Sequence, residues 1–117
     1  MPTQTNPRLP LLQGTLDVLI LRILLFGSHH GQGIARAIQQ QSLDEILPDH
    51  GSLYPALQRL EAAGWISADW GTSENNRKAR FYALTKAGRK HLTHETKQWC
   101  RLAEAMGRVL GLETSGS

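Results

Sequence analysis

The sequence contains little cysteine, few aromatic residues and no long uncharged hydrophobic stretch. Cys100 is its single cysteine, which excludes an internal disulfide and suggests a reducing, cytoplasmic environment. With two Phe, two Tyr and three Trp in 117 residues, the core must be mainly aliphatic. The stretch 16–26 is apolar except for Asp17 and Arg22, so it predicts a core helix and neither a signal peptide nor a membrane span.

Residues that could carry out catalysis or hold a metal are also scarce. His91 and His94 are three residues apart on a predicted helix, but only Glu95 offers a further ligand at suitable spacing. The acidic segment 44–49 has no nucleophile or oxyanion-stabilising group beside it in the sequence. A lone helical cysteine such as Cys100 is usually unreactive. We therefore expect no enzyme activity, no metal and no cofactor.

Positive charge is concentrated in one segment of the chain. The net charge of +3 hides an asymmetry, because residues 1–50 carry a net −1 and residues 92–117 are neutral. The segment 71–91 has six lysines and arginines against Glu74 alone, a net +5. A local basic cluster favours contact with a polyanion. The alternative is a basic face that is simply solvated.

Apolar residues at helical spacing predict two helices in the first 41 residues. Leucine and isoleucine recur from Leu12 to Leu24, which predicts a helix that ends near Gly27. The sequence "GSHHG" then predicts a turn, and a second helix is expected over about 31–41. The connector 42–48 is expected to direct Ile46 and Leu47 into the core.

The segment "GSLYPALQRLEAAGWI", residues 51–66, predicts a third helix. Leu53, Leu57 and Leu60 form one apolar stripe. With Ser52 as the N-cap, Pro55 falls in the first turn, where its missing N–H breaks no helical hydrogen bond. Gly64 is the expected end of this helix.

After Gly64 the apolar period changes from that of a helix to that of a strand. The alternation of Ile66, Ala68 and Trp70 predicts one strand, "GTSENN" a polar turn, and "RFYALT" a second strand. Tyr82 and Leu84 are expected on the core face of this β-hairpin. Trp65 and Trp70 are expected to seal the edge of the core.

The last segment predicts a long helix, capped by Thr85 and ending near Leu110. Its residues recur at coiled-coil spacing, which predicts a homodimer formed through this helix. The expected dimer-interface residues are Leu92, Thr96, Trp99, Ala103, Met106 and Leu110.

The predicted fold is mainly α with a small β-hairpin, of the α+β class. Three helices followed by a basic hairpin are the order of a winged helix-turn-helix, in which the third helix enters the major groove of DNA. The expected divisions are a flexible arm at 1–9, this DNA-binding domain at 10–84, a dimerisation helix at 85–112 and a disordered tail at 113–117. The candidate DNA-binding residues are Ser52, Tyr54, Pro55, Gln58 and Arg59 on the helix, with Arg77, Lys78 and Arg80 on the hairpin.

The sequence resembles the PadR-type transcriptional regulators over roughly residues 11–110. The similarity is carried by "GTLDVLIL" (14–21), "HGQGI" (30–34), "GSLYPALQRLEAAGWI" (51–66) and "RFYALTKAG" (80–88). It implies a dimeric DNA-binding repressor, usually bacterial, of the short type with one C-terminal helix. It also implies that Tyr54 contacts the DNA backbone. Gln32 departs from the family, which usually has an aromatic residue there.

The resemblance further implies an effector site, since in some short members a tryptophan at the position of Trp99 lines a cavity for flat aromatic compounds. The expected partners are therefore a pseudo-palindromic double-stranded DNA operator, a second copy of the chain and a small aromatic effector, with no membrane. Several alternatives stay open. Trp99 can be plain interface core, and Arg59 can pair with an acid, such as Glu61 of the partner subunit or a nearby loop carboxylate. The whole domain can also be a winged-helix module that contacts proteins and not DNA.

Overall fold

The computed structural model describes residues 14–112, which form four helices and a small antiparallel sheet. The predicted arm at 1–9, Leu12 and the tail at 113–117 lie outside these residues. The helices are α1 (Thr15–Leu24), α2 (Gly31–Gln41), α3 (His50–Ala62) and α4 (Lys86–Leu110). The strands are β1 (His29–His30), β2 (Ile66–Thr72) and β3 (Lys78–Leu84). The fold is α+β, as the sequence predicts.

Helix α3 begins earlier than the sequence analysis predicts. Its N-cap is Asp49, whose Oδ1 accepts a hydrogen bond from the N–H of Ser52 at 2.8 Å. The prediction of Ser52 as the cap is therefore wrong. Asp49 offers a charged carboxylate, which is a stronger acceptor for the N–H groups of the first turn that have no helical partner. Pro55 consequently lies in the second turn, inside the helix, and costs it one backbone hydrogen bond.

The sheet has three strands in the order β1-β3-β2, where the sequence predicts a two-stranded hairpin. The expected turn "GSHHG" contributes β1, in which His29 pairs with Tyr82 and His30 with Phe81. Two residues carry too little periodicity to reveal a strand. The hairpin of β2 and β3, hereafter the wing, is fully paired from Ile66 opposite Leu84 to Thr72 opposite Lys78.

One aliphatic core joins the helices to the base of the wing. The predicted stripe of α3 is confirmed, since Leu53, Leu57 and Leu60 are all buried. Ile46 packs against the core, but Leu47 is 43% exposed and does not. The buried side chains are those of Leu16, Ile20, Leu21, Ile23, Leu24, Ile34, Ile38, Leu53, Ala56, Leu57, Leu60, Ile66, Tyr82 and Leu92.

Helix α4 is joined to the rest of the chain through its first turn. Thr85 caps it as predicted, accepting from the N–H of Gly88 at 3.0 Å, and donates its own hydroxyl to the carbonyl of Gly64 at 2.7 Å. Gly88 lies directly against the backbone of Trp65, where a Cβ would come within 2.8 Å of the carbonyl carbon. Only glycine allows this approach of helix to strand.

The outer half of α4 extends beyond the core. Leu92 packs into the chain's own core, so this predicted interface residue is covered without a second subunit. Farther along the helix the apolar side chains are exposed. The exposed set comprises Leu102, Met106, Val109 and Leu110, with Leu112 just after the helix.

Candidate nucleic-acid interface

The exposed side of α3 carries the predicted recognition residues and has two flanks. At 100° per residue, Tyr54 falls on one edge of the exposed arc and Arg59 near the opposite edge. Pro55 and Gln58 lie between them, and all four side chains are exposed, as is Ser52. Gly51, which has no side chain, is exposed on the same face.

The Arg59 flank faces α1. The guanidinium of Arg59 donates to Oδ1 of Asp17 at 2.8 Å, while Asp17 is only about a quarter exposed. The open alternative of an ion pair for Arg59 is therefore realised, but with a carboxylate of α1. Glu61 is instead the partner of Arg80, at 3.0 Å. Without bound DNA, the ion pair of Arg59 with Asp17 links α3 to α1.

The Tyr54 flank faces α2 and the wing. The phenol of Tyr54 lies directly over Gly31, so closely that a Cβ on Gly31 would come within 2.8 Å of the ring carbon Cζ. His50 meets the same ring edge to face, with centroids 5.5 Å apart. Tyr54 is thus held in a fixed orientation although 36% of it is exposed. Gly31 and His50 are contacts that the sequence analysis did not identify.

A groove of about 360 Å³ separates the start of α2, the Tyr54 flank and the wing; we call it the wing groove. Three predicted DNA-binding residues, Tyr54, Lys78 and Arg80, line it together. Its full lining comprises His30, Gly31, Gln32, Tyr54, Trp70, Lys78, Ala79, Arg80 and Tyr82. Arg77 lies outside it, exposed at the turn of the wing.

The inner wall of the wing groove is aromatic. Burial raises the pKa of Tyr82, and this effect outweighs the opposing influence of the Arg80 guanidinium, which lies 5.8 Å above its ring.

Trp70 is 65% exposed and does not seal the edge of the core, so the prediction for this tryptophan is wrong. Trp65 is half-buried and stacks on His91 at 3.5 Å between centroids.

The turn of the wing is attached to α2 by Glu74. One carboxylate oxygen lies 3.5 Å from Nε2 of His30 and the other accepts from Arg36 at 3.4 Å. Because Nδ1 of His30 accepts from the N–H of Gly33, the proton of a neutral ring lies on Nε2, toward Glu74. Hydrogen bonds from its own backbone, His30 and Arg36 lower the pKa of Glu74.

A second, mostly apolar groove of about 490 Å³ lies between α1 and α4. Trp99 and Thr96 form one wall, and the outer face of α1 forms the other. The remaining lining residues are Thr15, Val18, Leu19, Arg22 and Ile46.

Other candidate chemistry is limited in the described chain. Within residues 14–112, no group of three or more His, Cys, Asp or Glu side chains is placed to hold a metal ion. His91 is instead occupied by its stacking on Trp65 and lies 3.9 Å from Glu95. Among the helices of residues 14–112, none combines the length and the hydropathy that a membrane span requires.

Comparison with known proteins agrees with this geometry. The profile of the "Transcriptional regulator PadR-like family" matches residues 20–94. A PadR family transcription regulator of Clostridium difficile has 28% identity and a TM-score of 0.69, with 83% of this chain and 99% of the other covered. A PadR family regulator of Eggerthella lenta has 26% identity and a TM-score of 0.71, covering 88% and 86%. A transcriptional regulator of Clostridium thermocellum has 25% identity and a TM-score of 0.75, covering 82% and 90%.

Helix α3 beside a paired, basic β-hairpin defines the class of winged-helix transcriptional regulators. Within that class, the chain belongs to the PadR-like family. The resemblance noted in the sequence is thereby confirmed, and the family consists of regulators and not of enzymes.

Proposed function

We propose that the protein is a homodimeric repressor that binds a pseudo-palindromic operator in the cytoplasm through α3 and the wing. The observation that carries this proposal is the wing groove. Tyr54 from α3 and Lys78 and Arg80 from the wing come from separate parts of the chain and line one surface. A DNA strand seated there would meet a phenol hydroxyl and two cations, all of which donate hydrogen bonds to phosphate oxygens.

Helix α3 would then enter the major groove with its exposed face. Gln58 is the residue best suited to base edges, because its amide both donates and accepts hydrogen bonds. Arg59 would contact a phosphate only after leaving or sharing its ion pair with Asp17. Ser52, at the edge of the face, would contact the sugar-phosphate backbone of the DNA, and Pro55 would pack against the groove at the middle of the face. Arg77 at the turn of the wing would add a phosphate contact.

The outer half of α4 supports the dimer. Ala103, Met106 and Leu110 continue the face on which Trp99 lies, and both Met106 and Leu110 are more than half exposed. A helix of 25 residues that packs on its own domain only through its first half needs a second apolar surface for the rest. A twofold-related copy of the same face would supply it and would present two α3 helices to two half-sites.

The groove beside Trp99 supports the effector. Its lining is apolar, and an indole forms one wall, which suits a planar aromatic compound. Thr15 also lines it, and within residues 14–112 its buried hydroxyl has no hydrogen-bond partner. A ligand between α1 and α4 would change the angle between the winged-helix domain and α4. That change would alter the spacing of the two α3 helices and favour release of DNA.

The proposal is tested by fluorescence anisotropy with the DNA upstream of the protein's own gene and with shuffled DNA of equal composition, across a salt series. We expect tighter binding to the native fragment and a logarithmic affinity that falls linearly with the logarithm of salt concentration. Equal binding to both fragments would contradict the regulatory function. Capture of a protein at α3 without DNA retention would favour the interaction module instead.

A further inference from the structure

Trp70 is exposed at a position where the strand pattern places it on the inner face of the wing. Ile66, Ala68 and Trp70 alternate along β2 on the same face. Ile66 is buried and Ala68 packs against the core, but by Trp70 the wing has passed beyond the core and the indole is 65% exposed. A single exposed aromatic residue is ordinary, but this indole lines one groove together with two further aromatic rings, Tyr54 and Tyr82, and a contiguous exposed patch of this kind marks a contact surface.

The backbone that carries Trp70 is held in place. Trp70 pairs with Arg80 across the strands, and the ladder continues to Thr72 opposite Lys78. On the other face Phe81 lies so close to Gly71 that a Cβ there would come within 2.8 Å of its ring. The indole therefore projects from a rigid strand and does not depend on a flexible loop.

The surroundings of Trp70 indicate the chemistry of what covers it. Lys78 Nζ lies 5.6 Å from the centroid of its ring, and both residues line the wing groove with Tyr54 and Arg80. The surface thus alternates aromatic rings with cations. A nucleic-acid backbone alternates apolar deoxyribose rings with phosphate anions, which matches it in both respects.

We propose that Trp70 is a DNA-contacting residue whose indole packs against a deoxyribose in the wing groove, while Lys78 binds the adjacent phosphate. This inference rests on the proposed function and adds to it an apolar contact on the wing. It assigns different roles to the neighbouring residues Trp70 and Lys78. Trp70 contributes through excluded water, independent of salt, whereas Lys78 contributes through charge and counterion release.

The test compares DNA affinity and its salt dependence in Trp70→Ala, Trp70→Phe and Lys78→Ala. We expect Trp70→Ala to lose about tenfold in affinity with an unchanged salt slope, as loss of a buried apolar contact predicts. Trp70→Phe should recover part of the loss. Lys78→Ala should reduce the magnitude of the slope by about 1. The matched control is Phe26→Ala, which removes another exposed ring beside a cation, Arg22 at 4.8 Å, that does not line the groove.

A second measurement observes the indole directly. Protein labelled with 5-fluorotryptophan has three tryptophans, and Trp70→Phe assigns the fluorine signal of Trp70. We expect this signal to shift on addition of operator DNA and to lose its solvent isotope effect. Two outcomes would overturn the inference and leave the proposed function standing, provided that the wild type binds its operator. One is a fluorine signal that does not move on addition of DNA, and the other is wild-type affinity in Trp70→Ala. If the wild type binds no DNA, the proposed function itself fails.

Discussion

The two ends of the molecule use apolar residues in opposite ways. In the winged-helix head, residues 14–85, the apolar stripes of α1, α2 and α3 meet one another and are almost fully buried. In the outer half of α4 a comparable set of apolar residues stays exposed, with Val109 at 87% and Leu110 at 63%. Both regions have helical periodicity. The difference is that the head contains its own partner surfaces and the outer half of α4 does not.

This contrast separates folding from assembly. The head positions Tyr54, Lys78 and Arg80 within a single chain, so half of the proposed DNA-binding surface is complete in a monomer. The exposed end of α4 would determine whether two such halves act together. Substitutions can break either region alone, and the expected effects differ in size and kind.

The largest effect is expected from Met106→Glu, which places a charge on the exposed face of α4. A buried carboxylate at a dimer interface is strongly unfavourable, so the dimer should dissociate. Loss of the second linked half-site should then weaken operator binding about 100-fold. Light scattering measures the dissociation, and fluorescence anisotropy measures the loss of operator binding.

The control is Arg101→Glu, which alters charge on the opposite face of the same helix and should leave the mass at twice 13.0 kDa. A wild-type mass of 13.0 kDa would itself contradict the proposed dimer.

Gly88→Ala should disrupt the contact between the start of α4 and the backbone of Trp65. The added methyl would meet the backbone of Trp65, which cannot move away as a flexible side chain can, and the expected loss of stability is about 1–3 kcal/mol. Chemical denaturation measures it. At Gly107 an added methyl meets no atom within 4 Å, so Gly107→Ala should stabilise the helix by about 0.5–1 kcal/mol. Equal stability of the two variants would show that the close approach at Gly88 is unimportant.

Tyr54→Ala should weaken operator binding about tenfold without affecting dimerisation, because a charge-assisted hydrogen bond to phosphate is lost. Gly31→Ala should reproduce part of this loss while leaving the tyrosine in place, since a Cβ at position 31 displaces the phenol ring. Anisotropy and light scattering check both variants. Normal DNA affinity in Gly31→Ala would mean that the orientation of Tyr54 is not required.

Arg77→Ala should have a smaller effect, concentrated at low salt. Removal of one phosphate contact should reduce the magnitude of the salt slope by about 1 and leave discrimination between operator and shuffled DNA unchanged. Lys97→Ala, on the outward face of α4, is the control for loss of one positive charge. Identical slopes for the two variants would exclude Arg77 from the interface.

The smallest effect concerns the attachment of the wing turn by Glu74. Its pKa is lowered below the ordinary 4.5 in the folded protein, so the attachment stabilises fully above pH 4.5 and is lost as pH falls through the folded value. Glu74→Gln should therefore increase the mobility of the turn at pH 6, and the wild type should approach it only in acid. Amide relaxation of residues 73–77 measures this. Asp69→Asn, on the same sheet, should change nothing.

Predictions from the sequence are confirmed where a segment's own pattern determines the outcome. Thr85 caps α4, α2 covers the predicted range, and Leu53, Leu57 and Leu60 face the core because their spacing leaves one consistent orientation. One prediction was wrong because a distant segment decides, since strand β1 exists only where β3 offers it an edge. Another was wrong on a local choice between two neighbouring acceptors, because Asp49 and not Ser52 caps α3.

The sequence by itself determined the winged-helix class, the family and the apolar face along α4, since each follows from local periodicity and short motifs. Only the tertiary structure decided which residues meet. It brought Asp17 to Arg59 and Glu61 to Arg80, placed Tyr54 over Gly31, and left Trp70 beyond the core beside Lys78. These contacts join residues up to 42 positions apart, and their distances depend on the packing of whole elements, which no local pattern contains.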